Sequence, residues 1–72
     1  MSFILTVTLC SALMQECMKP ITYEEKFKDY HKCAIAGYST AAQLFAEGDP
    51  KQINYYRTVI TFTCEPDNSN NI

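Results

Sequence analysis

The sequence predicts a small α+β domain, a single β-α-β unit with one long helix packed on two strands. Three features of the chain predict it. From Phe3 to Cys10, the apolar residues Phe3, Leu5, Val7 and Leu9 alternate with Ile4, Thr6, Thr8 and Cys10, the period of a strand with one wholly apolar face. Between Ile21 and Pro50, Tyr23, Phe27, Tyr30, Ala34, Tyr38, Ala41 and Phe45 recur at steps of three and four, the period of an amphipathic helix. From Asn54 to Cys64 alternation returns in a run rich in Tyr, Thr, Val and Ile, residues that suit a half-buried pleated surface.

The first strand has no Lys or Arg ahead of its apolar residues, and Thr6 and Thr8 interrupt it. Both features set it apart from a secretory leader, although Cys10-Ser11-Ala12 offers small residues of the kind a signal peptidase prefers. The connection over 11–20 carries Leu13, Met14, Cys17 and Met18, too many apolar residues for a free loop. It is expected to fold back over the helix or the sheet edge, with Cys17 as its anchor.

The helix is expected to begin at the capping box Thr22-Tyr23-Glu24-Glu25 and to end at Gly48 in the left-handed C′ conformation. Asp49-Pro50 then starts one further short turn through Gln52. In the last strand Tyr56, Thr58, Ile60, Phe62 and Cys64 share one face, and Tyr55, Arg57, Val59, Thr61 and Thr63 the other. The domain covers 1–65, and 66–72 is a polar tail. Two strands joined by so long a crossover are expected to be parallel. Two strands also leave a face and both edges uncovered, so a second copy of the chain is expected to supply the cover.

A chain of 72 residues holds one domain with a small core, one that needs staples or a partner subunit. Eight acids against six bases give a net charge of −2 with no basic run. That excludes a nucleic-acid surface, which needs clustered Lys and Arg. No apolar run approaches the ~20 residues of a membrane span. Cys10, Cys17, Cys33 and Cys64 permit two disulfides, four buried thiols or a metal site. No Cys-x-x-Cys is present, which disfavours zinc. Of the three connectivities, parallel strands favour Cys10 with Cys64 and Cys17 with Cys33, because both strands then finish at one end. The alternative joins Cys10 with Cys17 and Cys33 with Cys64.

No arrangement predicts catalysis. His31 and Cys33 are neighbours, as a thiolate–imidazole pair requires, but two residues on a helix diverge by about 200°. Glu25 and Asp29 would share a helix face, yet Lys26, Lys28 and Lys32 interleave with them as on an ordinary solvated face. Gly37 and Gly48 are the only glycines, so no phosphate-cradling loop exists. Accordingly no catalytic residue, metal or cofactor is expected. The unusual feature is the second half of the helix, which has no charge from Cys33 to Ala46. Ile35, Gly37, Ser39, Ala42 and Ala46 are its interface candidates, since small uncharged residues admit another backbone at little desolvation cost.

Several of these stretches carry a resemblance. The opening Phe-Ile-Leu-Thr-Val-Thr-Leu-Cys-Ser, the Cys10–Cys17 spacing, Tyr30-His-Lys-Cys33, Gly37-Tyr38 and the closing Thr61-Phe-Thr-Cys64 resemble a group of small four-cysteine proteins encoded by marine bacteriophages, including those of cyanobacteria. The group has no established activity, so the resemblance implies a source rather than a mechanism. It also implies that all four cysteines belong to the fold and that the N-terminal strand is retained. The expected function is that of a non-catalytic phage-type accessory protein, self-associating, that binds a bacterial host protein. The compartment is open, with the host cytoplasm favoured over the periplasm. The alternatives are an exported protein that blocks competing phage at the periplasmic or membrane surface, and a thiol-redox protein.

Overall fold

The computed structural model describes residues 2–67; most of the polar tail, residues 68–72, lies outside the described residues. The chain runs β1 (Ser2–Ser11), β2 (Glu16–Cys17), β3 (Ile21–Phe27), α1 (Tyr30–Glu47), α2 (Pro50–Tyr56) and β4 (Thr58–Asp67). The α+β class and the long helix on a sheet are as the sequence predicts. The sheet is not. It has four strands, and β1 is its centre: β4 pairs along one side of it, β2 and then β3 along the other, all antiparallel.

The expected helix start is therefore corrected. Ile21 to Phe27 is strand, and the helix begins at Tyr30. The capping box at Thr22 is not used. Asp29 is the N-cap, its carboxylate accepting from the Lys32 amide at 2.7 Å, where it satisfies an orphan donor and suits the positive end of the helix. Tyr23 and Phe27 lie four apart, so a helical face and a strand face both place them on one side. The open edge of β1 decides between the two. β1 is ten residues long, and a partner there satisfies its backbone groups. β3 sets Tyr23, Glu24 and Glu25 against Leu5 alone, since Ile4 pairs with Lys26 and Thr6 with Thr22. An insertion of two keeps the alternation in phase, so Tyr23 and Phe27 both pack against the core.

The parallel pairing of first and last strands is likewise corrected. Ser2 pairs with Asp67 and Ser11 with Thr58, antiparallel over the full length. Because β3 sits between the hairpin and the helix, the chain reverses once more than a two-strand unit would. β4 also runs past Cys64 to Asp67, so Pro66 and Asp67 belong to the sheet rather than to the tail. At this end Lys26 forms an ion pair with Asp67, whose side chain is almost fully buried while that of Lys26 is about half exposed. Lys26→Ala is expected to cost about 1 kcal/mol, read as a lower urea midpoint with an unchanged slope.

The core lies between α1 and one face of the sheet. Leu5, Val7 and Cys33 are fully buried, and Phe3, Leu9, Tyr23, Phe27, Ala36, Leu44, Ile60, Phe62 and Cys64 pack around them. The alternating faces come out as the sequence predicts over Phe3 to Leu9 and Thr58 to Cys64, but the expected strand start at Asn54 is corrected: α2 runs past Gln52 to Tyr56, Arg57 caps it, and the strand begins at Thr58. The helix stripe does not come out as predicted. Tyr30 and Tyr38 are exposed, and the face on the sheet is formed by Cys33, Ala36, Gly37 and Leu44. That face is turned by roughly one residue, about 100°, from the aromatic stripe. Close approach to the sheet requires small residues, and Gly37 supplies it: a Cβ there would overlap the Phe62 ring. Gly48 is not left-handed but extended, with φ −75°. Its role is space, because a Cβ would press on Ile53 of α2 and on the Leu44 carbonyl.

The opposite face of the sheet presents Thr6, Thr8, Thr22, Thr61 and Thr63. Thr6 pairs with Thr63 and Thr8 with Thr61, and the Thr6 and Thr22 hydroxyls lie 3.3 Å apart. Hydroxyls tolerate water, and antiparallel sheets are commonly solvated on one face. The expected need for a second cover on that face lapses.

Both disulfides form, in the alternative connectivity: Cys10 with Cys17, and Cys33 with Cys64. The favoured pairing assumed parallel strands. Antiparallel pairing instead puts Cys64 opposite Leu5, and Cys10 opposite both Val59 and Cys17. Cys33, on the buried face of α1, then reaches Cys64 with a Cα–Cα distance of 6.1 Å, within the range for an unforced bridge.

Candidate functional site

The catalytic constellations come apart in three dimensions. Cys33 is buried and disulfide-bonded, so no thiolate faces the exposed His31. Glu25 lies on β3 and Asp29 caps α1, so they share no helix face. All four cysteines are paired in disulfides. Among the described residues no three His, Cys, Asp or Glu side chains gather as metal ligands. Among the same residues no helix is long and apolar enough to cross a membrane. The stretch that an export signal would occupy is the central strand, and it supplies Leu5 and Val7 to the core.

Of the interface candidates, Gly37 is withdrawn, because it is buried against Phe62. Ile35, Ser39, Ala42 and Ala46 are exposed on the outer side of α1. Ile35 is 53% exposed, so that side is apolar as well as uncharged.

A second surface lies at the opposite end of β1. The chain leaves β1 at Ser11, turns through Gln15 in the left-handed region (φ 55°), and returns as β2. The Cys10–Cys17 bridge closes this hairpin, and the Met18 amide donates to the Leu9 carbonyl at 2.8 Å. The turn is also tied to the end of α2. The Ser11 hydroxyl donates to the Tyr56 carbonyl at 2.8 Å and accepts from the Met14 amide at 3.1 Å. The Leu13 amide reaches the same Tyr56 carbonyl at 3.2 Å, and the Ala12 amide donates to that of Arg57.

These ties hold open a cleft of about 240 Å³, lined by Leu9, Met14, Met18, Tyr56 and the Cys10–Cys17 bridge, with Glu16 as its one charged residue. Beyond Tyr56 a similar hollow of about 220 Å³ runs between Leu44, Phe45 and Ile53. No family model, curated protein or solved structure matches the chain.

The methionines of the cleft were legible as an anomaly, since a polar turn has no reason to carry Leu13, Met14 and Met18. Tyr56 was not, because alternation assigned it to the core face of a strand. α2 instead ends at Tyr56, and Arg57 turns the chain in the left-handed region (φ 52°).

Proposed function

We propose that the chain is a non-catalytic accessory protein of phage type that acts by binding a protein partner, a bacterial host protein on the resemblance noted above. Its cleft beside the Cys10–Cys17 bridge receives an apolar side chain of that partner. The cleft itself carries this reading. At about 240 Å³ it falls below the roughly 300–1,000 Å³ of small-molecule sites, but it accommodates a Leu, Met or Phe side chain. Its walls are methionine and tyrosine, side chains that adapt to or anchor an incoming apolar group. Met18 is 68% exposed, an arrangement that favours contact with another protein over solvent. Glu16 at the rim favours a basic residue next to the inserted one.

Selection of a random peptide library on the immobilised protein tests this. Peptides centred on an aromatic or aliphatic residue with a neighbouring Lys or Arg are expected to be enriched. Met18→Glu should weaken the selected peptides at least about tenfold, the equivalent of roughly 1.4 kcal/mol. The substitution lies on an exposed position, so the melting temperature should hold. Peptides that bind the Met18→Glu protein equally well would refute the cleft as the binding site.

A further inference from the structure

The sheet has two outer edges among the described residues, and the chain treats them differently. β3 carries Glu24, Glu25 and Lys26 and a local irregularity opposite Leu5, devices that discourage another strand from docking. β4 has neither. Thr58-Val-Ile-Thr-Phe-Thr-Cys64 contains no charge, glycine or proline, and a run of this kind on an open edge is an aggregation hazard until something pairs with it.

The phase of the β1–β4 ladder shows what that edge offers. The Ala12 amide donates to the Arg57 carbonyl at 3.1 Å, one step beyond the Ser11–Thr58 pair. Alternate residues of an antiparallel strand turn their backbone groups to opposite sides. Val59, Thr61 and Thr63 thus face β1, while Thr58, Ile60, Phe62 and Cys64 present N–H and C=O outward. Pro66 is next in that series and has no N–H to give.

We propose that a second copy of the chain occupies this edge, β4 against β4, antiparallel about a twofold axis at Thr61. This register pairs Thr58 with the partner's Cys64 and Ile60 with the partner's Phe62, and so uses all four outward donors on each chain. It also sets Arg57 across from the partner's Glu65, twice by symmetry. Both side chains are exposed, and neither has an ion-pair partner among the described residues. A shift toward the chain end brings Thr58 against the partner's Pro66 and loses donors. A shift the other way moves Arg57 opposite the partner's Thr63 and loses the charge match.

The helices fit the same arrangement. α1 lies across β4 and β1, and Tyr38 packs edge-on over Phe62 of β4 at 4.8 Å between ring centroids. The flank bearing Ala34, Tyr38, Ala41 and Phe45 therefore leans toward the open edge. With strands about 4.8 Å apart, two helices above their respective β1–β4 gaps stand about 10 Å from each other, at the helix packing distance of roughly 8–10 Å. The apolar stripe that dominates the helix sequence, yet misses the core, becomes the seam between two helices.

Light scattering on the whole chain should give twice its 8.2 kDa mass. Thr61→Glu places two carboxylates face to face on the axis and should raise the dissociation constant by about tenfold or more. Arg57→Glu and Glu65→Arg should each do the same, and the two combined should return it to within about threefold of the parent by restoring opposite charges. Circular dichroism confirms that each exposed substitution leaves the monomer folded. A monomer at millimolar concentration would overturn the proposal. So would a dimer indifferent to Thr61→Glu, failure of the charge swap to rescue, or dissociation by Ala42→Glu alone, which would place the contact on the outer face of α1.

Discussion

A chain with both Cys33 and Cys64 replaced by alanine is expected to be largely unfolded near about 37 °C, whereas one with Cys10 and Cys17 replaced should still fold. The difference follows from loop length and position. The Cys33–Cys64 bridge spans 31 residues and the Cys10–Cys17 bridge only 7. In the chain-entropy account these closures are worth about 4 and about 2.5 kcal/mol. The longer bridge also ties the buried face of α1 to β4 through a fully buried Cys33, while the shorter one closes a solvent-facing hairpin. Among the described residues only the side chains of Leu5, Val7 and Cys33 are fully buried, and a core this small rarely supplies more than about 3–5 kcal/mol. Removing about 4 kcal/mol then leaves little. Urea titrations of the two double variants, followed by circular dichroism, decide the matter. Equal midpoints would show that α1 is held by packing rather than by its bridge.

The second large effect is expected at Gly37. Gly37→Leu should destabilise by about 3 kcal/mol, the upper range for overpacking, because the side chain would occupy the space of the Phe62 ring. Gly37→Ala is the sharper experiment, since two terms of opposite sign compete. Alanine in place of a mid-helix glycine gains up to about 1 kcal/mol of helix propensity. Its Cβ, however, would overlap ring carbons of a Phe62 that is itself held by Tyr38. The overlap should win by about 1 kcal/mol, and Phe62→Leu in the same chain should reverse the sign. A thermal scan in which Gly37→Ala alone melts higher than the parent would show that the helix does not approach the sheet as closely as described.

Much of this fold was legible in the sequence, for a definite reason. Alternation in Phe3 to Leu9 and in Thr58 to Cys64 reports which face of a strand meets the core, and the helix that buries these faces lies within the periodic stretch, over Tyr30 to Glu47. An even number of cysteines in a short chain signalled two bridges. The anomalous Leu13, Met14 and Met18 pointed to a segment that folds back, and it does so along the edge of β1. These are local signals, written in period and composition.

What the sequence left open was every choice between two arrangements of equal local merit. Tyr23 and Phe27 share a face in a helix or a strand, and only the unpaired edge of β1 settles the matter for strand. That one exchange reverses the direction of β4 relative to β1, and with it the partner of every cysteine. The rotation of α1 was likewise undecided. The aromatic stripe has the stronger hydrophobic pattern, but a helix bridged to a neighbouring strand through Cys33 and Cys64 must present its smallest residues to the sheet, and Gly37 sits there instead of Tyr38. Periodicity reports that a helix has a face. Steric fit against Phe62, a property of two distant segments together, decides which face is buried and which remains for a partner.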